Sequence, residues 1–208
     1  MTLMRSRRAV LSLGVLFVSP PFAAAFAKPE GAQSSTSLAG QLLVAEPEMS
    51  DPRFAKSVIL MVQHDQKGAL GIVINRPADE VPVAKLLDAL GIDSKDSDGR
   101  VRLFAGGPVQ PDVGLIVHTA EYRRTGTIDI DGRVAMTTDP QVLRDIGHHE
   151  GPRQSLVAFG YAGWGPGQLE GELILRGWFT MPEDPTLVFD FDRDKLWDET
   201  MKRRTIPL

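Results

Sequence analysis

The chain has 208 residues and no cysteine. That absence excludes a disulfide frame, a thiol nucleophile, an iron–sulfur cluster, a cysteine zinc site and a lipidated-cysteine anchor. Long apolar runs are also missing. The best candidate, Ala9 to Val18, falls well short of the roughly 20 residues that span a bilayer core. There is no H-x-x-x-H or H-E-x-x-H zinc spacing, no G-x-S-x-G elbow and no P-loop lysine. Neither sign of charge dominates: 23 basic against 27 acidic residues leave a net charge of −4. A negative net charge opposes direct nucleic-acid binding unless a basic patch overrides it, and the basic clusters, Arg123-Arg124 and Lys202-Arg203-Arg204, are both short. What is present is an ordinary globular composition, with 42% hydrophobic and 24% charged residues. No internal repeat divides it.

The first 27 residues read as an export leader. Arg5, Arg7 and Arg8 precede the apolar run, Ser19-Pro20-Pro21 breaks it, and Ala25-Phe26-Ala27 offers an A-x-A cleavage site. Ser6-Arg7-Arg8-Ala9-Val10-Leu11 is similar to a twin-arginine signal, although Val10 stands where that motif favours Phe. Residues 28–37 have linker composition, and the globular pattern begins near Leu38. Cleavage would remove three arginines and no acid, taking the charge from −4 to −7. The competing reading is a start codon assigned too far upstream.

From Leu38 onward, strands are expected at Leu38–Ala45, Ser57–Gln63, Ala69–Asn75, Val101–Ala105, Gly114–His118, Arg133–Thr137, Ser155–Tyr161 and Leu187–Phe191. Ser57–Gln63 is apolar throughout, as a strand buried on both faces requires. His64 to Gly68 reads as a hairpin loop, and Pro77 as a stop. Val83, Leu86, Leu87 and Leu90 fall at helical spacing, with Gly91 beyond as a cap. Further helices are expected after Pro140, over Gln168–Leu175, and around Leu196, Trp197 and Met201. Helices alternate with strands but hairpins intervene, so the expected fold is α+β: one compact domain with a mixed, curved sheet and packed helices.

Candidate functional residues follow from glycine density and polar side chains. Gly106-Gly107-Pro108 can turn backbone N–H groups toward an anion, or simply make a turn. Gly160 to Gln168 packs four glycines and a proline around Tyr161 and Trp164, reads as a loop, and leads into a helix whose first donors suit a carboxylate or phosphate. The same density equally serves a tight connection. His64 and His118 each close an apolar run and would meet if their strands pair, which would make an enzyme with Glu170 conceivable.

The segment Gly160-Tyr161-Ala162-Gly163-Trp164-Gly165-Pro166-Gly167-Gln168-Leu169-Glu170 resembles the GYAGWGxGQLE hallmark of the YqgE/AlgH family. Leu38 to Ala45 with Pro47, Asp51 with Phe54, Ser57-Val58-Ile59, His64, Gly68 to Pro77, Gly106 to Val109, His118, Trp178, Phe189-Asp190 and Trp197 resemble it in the same order. The resemblance implies a single α+β domain over residues 38–208. It supplies no catalytic residue set and no cofactor. Some members are called transcriptional regulators, and members normally lack a leader, so residues 1–37 depart from the pattern.

The expected molecule is a non-catalytic binding or regulatory module with no cofactor and no metal. Its binding surface would comprise Asn75, Gly106, Gly107, Pro108, Tyr161, Gly163, Trp164, Gly165, Gln168 and Glu170. Its partner would be a protein or a small ligand. Two alternatives stand beside it: a hydrolase or metal-dependent enzyme built on His64 and His118, and a regulator of transcription acting through a partner. The leader, if genuine, places the chain in the periplasm; otherwise the family's cytoplasmic location is expected. No membrane span is expected after cleavage.

Overall fold

Leu42 and Val44 alternate with Leu43 and Ala45 in strand β1 (Gln41–Ala45), and all four are buried. Strand β2 (Val58–Asp65) repeats the pattern: Val58, Leu60 and Val62 face one cluster, Ile59 and Met61 another. These strands are apolar on both faces because both faces are covered. The computed structural model describes residues 37–204, so the expected leader, residues 28–36 of the linker and residues 205–208 lie outside the described residues.

The remaining elements follow in chain order. Strands β3 (Gly68–Val73) and β4 (Pro77–Pro82) lead into helix α1 (Val83–Ala89). Then come β5 (Arg100–Ala105), β6 (Val109–Thr119), β7 (Ile128–Asp129), β8 (Val134–Thr137) and helix α2 (Gln141–Gly147). Strand β9 (Ser155–Trp164), helix α3 (Gln168–Ile174), strand β10 (Trp178–Pro182), a π-helical turn (Thr186–Asp190) and helix α4 (Leu196–Arg203) complete the chain.

The sheet runs β10-β1-β2-β3-β9-β6-β8-β7, with β4 and β5 branching from β9. Only the β5–β9 pair is parallel; the rest are antiparallel. The sheet is therefore mixed, and it curls like a half-barrel until its first and last strands approach. Arg133, just before β8, donates to the Glu183 carbonyl just after β10 at 3.1 Å. Leu42, Leu60, Ile72, Leu115, Val117 and Met136 fill the inside of the curl, closed by Leu187, Val188 and Leu196. Outside, α1 and α2 cover β5, β6 and β9, while α3 covers the outer face of β1 to β3.

The α+β expectation holds, and four local expectations change. The hairpin turn is only Gln66-Lys67, with His64 and Asp65 still paired in β2. The strand expected to stop at Pro77 ends at Val73, and Pro77 itself opens a new one: β4 is polar and exposed, and it exists because β5 offers a partner edge. The region 160–164 is the end of a long strand, not a loop. Leu187–Asp190 is helical rather than extended, and only Phe191 has extended backbone angles. Adjacent Leu187 and Val188 both enter the inner core, which a strand's alternation forbids. The Asp184 side chain accepts the Thr186 N–H at 2.9 Å and starts that turn.

Candidate functional site

The candidate residues separate into three places. Gly106, Gly107 and Gly160 form a backbone crossing. A Cβ on Gly106 would stand 2.3 Å from the Gly160 carbonyl oxygen, and one on Gly107 2.1 Å from the Tyr161 carbonyl carbon. Gly106 donates its N–H to the Phe159 carbonyl at 2.8 Å, and its carbonyl accepts from Val73. Both groups are thus consumed in joining β5, β9 and β3. Pro108 follows, exposed, and Tyr161 is half-buried against the inner core.

The second place lies under α3. Trp164 and Trp178 meet edge to face with ring centres 6.1 Å apart. Their indole N–H groups both donate to Glu172 Oε2, at 2.9 and 2.8 Å. Gln168 holds Glu172 Oε1 at 3.0 Å, and its own Oε1 accepts the Gly165 N–H at 3.1 Å. The Gly165 N–H is therefore taken within the loop, the first helical N–H, that of Gln168, donates back to the Gly165 carbonyl at 3.1 Å, and Gly163 is an exposed strand residue paired with Leu70.

Beside it, His64 Nδ1 accepts the Leu38 N–H at 3.1 Å, so Nε2 carries the proton and donates to Glu170 Oε1 at 3.0 Å. With its lone pair occupied, this imidazole fastens the start of the fold and is not poised as a base. Hydrogen bonding, including that from His64, holds Glu170 below the usual carboxylate range.

His118 is elsewhere. Strands β2 and β6 do not pair; β3 and β9 lie between them, about 14 Å of sheet. His118 is fully buried, donates from Nδ1 to the Thr119 carbonyl at 3.0 Å, and has no partner at Nε2. Burial lowers its pKa and keeps it neutral. The pairing on which an enzyme of His64 and His118 depends is absent. Among the described residues no group of three histidine and carboxylate side chains is arranged to hold a metal ion.

The third place is a pocket of about 250 Å³ lined by Ala55, Lys56, Asn75, Arg76, Arg193, Asp194, Trp197 and Asp198. It sits where the chain enters β2, leaves β3 and turns into α4. Asn75 builds its wall: Oδ1 accepts the Val58 N–H at 2.9 Å, and Nδ2 donates to the Lys56 carbonyl at 2.8 Å. Lys56 is thereby held at φ 55°, in the left-handed region, and its ammonium lies 5.3 Å from the Trp197 ring centre. Arg76 donates to the Ala55 carbonyl at 3.2 Å.

Arg193 is only 6% exposed. Its two terminal nitrogens donate to the Leu187 and Phe189 carbonyls at 3.0 and 2.8 Å, and its Nε is buried without a partner. Burial, with Arg102 nearby, brings its pKa down to about 10. Burial likewise lowers Arg76. Among the described residues, none of Lys56, Arg76 and Arg193 has a carboxylate within ion-pair distance, whereas Arg124, Arg133, Arg203 and Arg204 all do. Of this pocket, candidate-site reasoning from sequence found Asn75 alone. Arg76 is its neighbour in the chain, but nothing in the local pattern sets Arg193 apart from a surface arginine.

Comparison with known proteins places these features in context. The model of a family described as AlgH-like matches residues 42–208. A UPF0301 protein of Methylococcus capsulatus is 39% identical over 180 residues, covering 86% of this chain and 98% of that relative. A UPF0301 protein of Afipia carboxidovorans is 40% identical over 86% of this chain and 90% of its own length. The solution structure of the AlgH protein of Pseudomonas aeruginosa matches with a TM-score of 0.69 at 36% identity, covering 85% of this chain and 94% of that one. A crystal structure from Corynebacterium diphtheriae shares the fold with a TM-score of 0.63 at 24% identity.

Proposed function

The chain belongs to the AlgH-like family, whose biochemical activity is unknown, and from that premise we propose that it is a non-catalytic binding module with its small-ligand site in the Asn75 pocket. One observation carries this reading. The pocket gathers three cations without ion-pair partners and an amide that shapes its wall, in a chain whose net charge is negative. Buried polar groups are normally satisfied, so a buried donor left open beside a cavity marks a place for a ligand group. At about 250 Å³ the space suits a small molecule or one end of a larger one.

The Gly106–Gly107–Gly160 crossing supports the site, since the Val73 N–H donates to the Gly106 carbonyl just before Asn75, and the Trp164–Glu172–Trp178 network steadies the far end of β9. They keep β3, β5 and β9 in register and so fix where Asn75 and Arg76 emerge. Among the described residues, the side-chain hydrogen bonds of Asn75, Arg76 and Arg193 go to backbone groups and not to an acid, base or nucleophile, which favours binding over turnover.

The test is a metabolite screen read by amide chemical shifts. Shifts centred on Lys56, Asn75 and Arg76, with the ligand recovered chemically unchanged, are the expected result. Shifts confined to Gly163–Glu170 would move the site to α3, and conversion of the ligand would overturn the non-catalytic reading.

A further inference from the structure

Resting on the binding site just proposed, we infer that the ligand presents an oxyanion, a phosphate or carboxylate group, to Lys56, Arg76 and Arg193. The pocket wall carries three positive groups against the two carboxylates of Asp194 and Asp198. The carboxylates belong to exposed residues, whereas Arg193 is buried and Arg76 half-buried. The charge of the two arginines therefore lies where solvent screens it least, while Lys56 is exposed. A cationic ligand would have to displace or oppose these groups. A neutral ligand would leave them balanced only at a distance, by Asp51 near Arg76, Asp190 near Arg193 and the exposed Asp194 and Asp198. An oxyanion accepts from Arg76 and Lys56, and the buried Arg193 guanidinium adds positive charge in the wall beside them.

The backbone is arranged to keep Lys56 there. Asn75 fastens the Lys56 carbonyl at 2.8 Å, and the residue stays in the left-handed region without being glycine. Lysine is a poor choice for that conformation on stability grounds. The Asn75 amide, bonded on both sides of the turn, holds it there and so sets where the ammonium stands. The Trp197 ring below it is fixed by its own N–H, which donates to the Ala45 carbonyl at 2.8 Å, and it serves as a rigid floor and as a fluorescent reporter.

Titration of the full chain with inorganic phosphate and, separately, with acetate at constant ionic strength tests the inference, read by amide shifts, by the Trp197 indole N–H resonance and by total tryptophan fluorescence. Saturable binding centred on residues 55–57, 75–76 and 193–198 is expected for at least one of the two. Phosphate alone identifies a phosphoryl ligand, and acetate alone a carboxylate. Lys56→Gly fits the left-handed backbone and should keep the fold while weakening binding about tenfold, and Arg76→Gln should weaken it similarly. Asp198→Asn should tighten it a few-fold, on the order of a rim charge effect.

Equal affinity in the wild type and Lys56→Gly would overturn the oxyanion assignment. So would neutral or guanidinium fragments that bind this pocket while both anions fail; the binding site itself would then stand. If no fragment of any charge shifts the pocket amides, both the assignment and the site fall.

Discussion

A glycine can be required by its neighbours rather than by a ligand, and Gly107 is such a case. It sits at φ 155° with the Tyr161 carbonyl carbon 2.1 Å from where a Cβ would stand. The atom in the way is backbone of the central strand and cannot rotate aside. Gly107→Ala is expected to cost about 3 kcal/mol, the sum of overpacking and backbone strain, measured as a lower urea midpoint. Gly167→Ala is the control. Gly167 is also left-handed, at φ 74°, but it has nothing within 4 Å of the added carbon, so its loss should be limited to about 1 kcal/mol of strain. Equal losses would show that the crossing tolerates a side chain. Asn75 makes the same point in the polar direction: its amide works first on the backbone of Lys56 and Val58, and positions a cation by doing so.

Helix α3 shows how an element can be held by its own acid. Glu172 sits on the second turn of a helix that is only seven residues long. Helices that short are marginal alone. Its stability comes from Leu169, buried in the outer core, and from the two indole donors that share Glu172 Oε2. Trp164 and Trp178 are 6% and 3% exposed, so neither N–H finds water readily if that oxygen is lost. Glu172→Ala is expected to cost about 3 kcal/mol, the desolvation of two unmatched donors. Glu172→Gln keeps an acceptor oxygen and should cost about 1 kcal/mol. Near-ultraviolet circular dichroism of the tryptophan pair and thermal melts check both. No change in the Glu172→Ala signal would mean that the indoles are ordered by packing alone.

At the scale of the whole molecule the sheet ends are joined by a small charged clasp. Glu183, 3% exposed, faces Asp131 and lies 2.6 Å from Arg133. Burial, and then the hydrogen bond and charge of Asp131, raise its pKa to about 8, outweighing the opposing pull of Arg133. Asp131 moves the other way, because the Val134 and Arg133 N–H groups and Glu183 together outweigh its own burial. Folded Glu183 therefore keeps its proton to about pH 8, while the unfolded side chain releases it near 4.5. Between those values the folded state holds more protons. The clasp's contribution is complete below about pH 4.5 and is lost as pH rises through about 8. Glu183→Gln imitates the neutral acid at every pH. The wild type should match it at about pH 5 and melt at progressively lower temperature than it towards about pH 8. A melting difference constant across that range would mean that Arg133 keeps Glu183 ionised throughout.

Local order in the sequence determined much of this protein. The apolar runs at Leu42–Ala45 and Val58–Val62 state that both strand faces are buried, and Val83, Leu86 and Leu87 state a helix face, because those patterns depend only on near neighbours. The hallmark from Gly160 to Glu170 identifies the family for the same reason: it is a contiguous string. Tertiary structure decided the rest. Polar β4 is a strand only because β5 lies beside it. Leu187 and Val188 abandon alternation because one core takes both. His64 and His118, alike in their sequence surroundings, are separated by two intervening strands. Lys56, Arg76 and Arg193 come to line one pocket only once β2, β3 and α4 are packed. Periodicity carries the burial of a segment, but the meeting of distant charges is set by the path of the chain between them, and no local pattern records it.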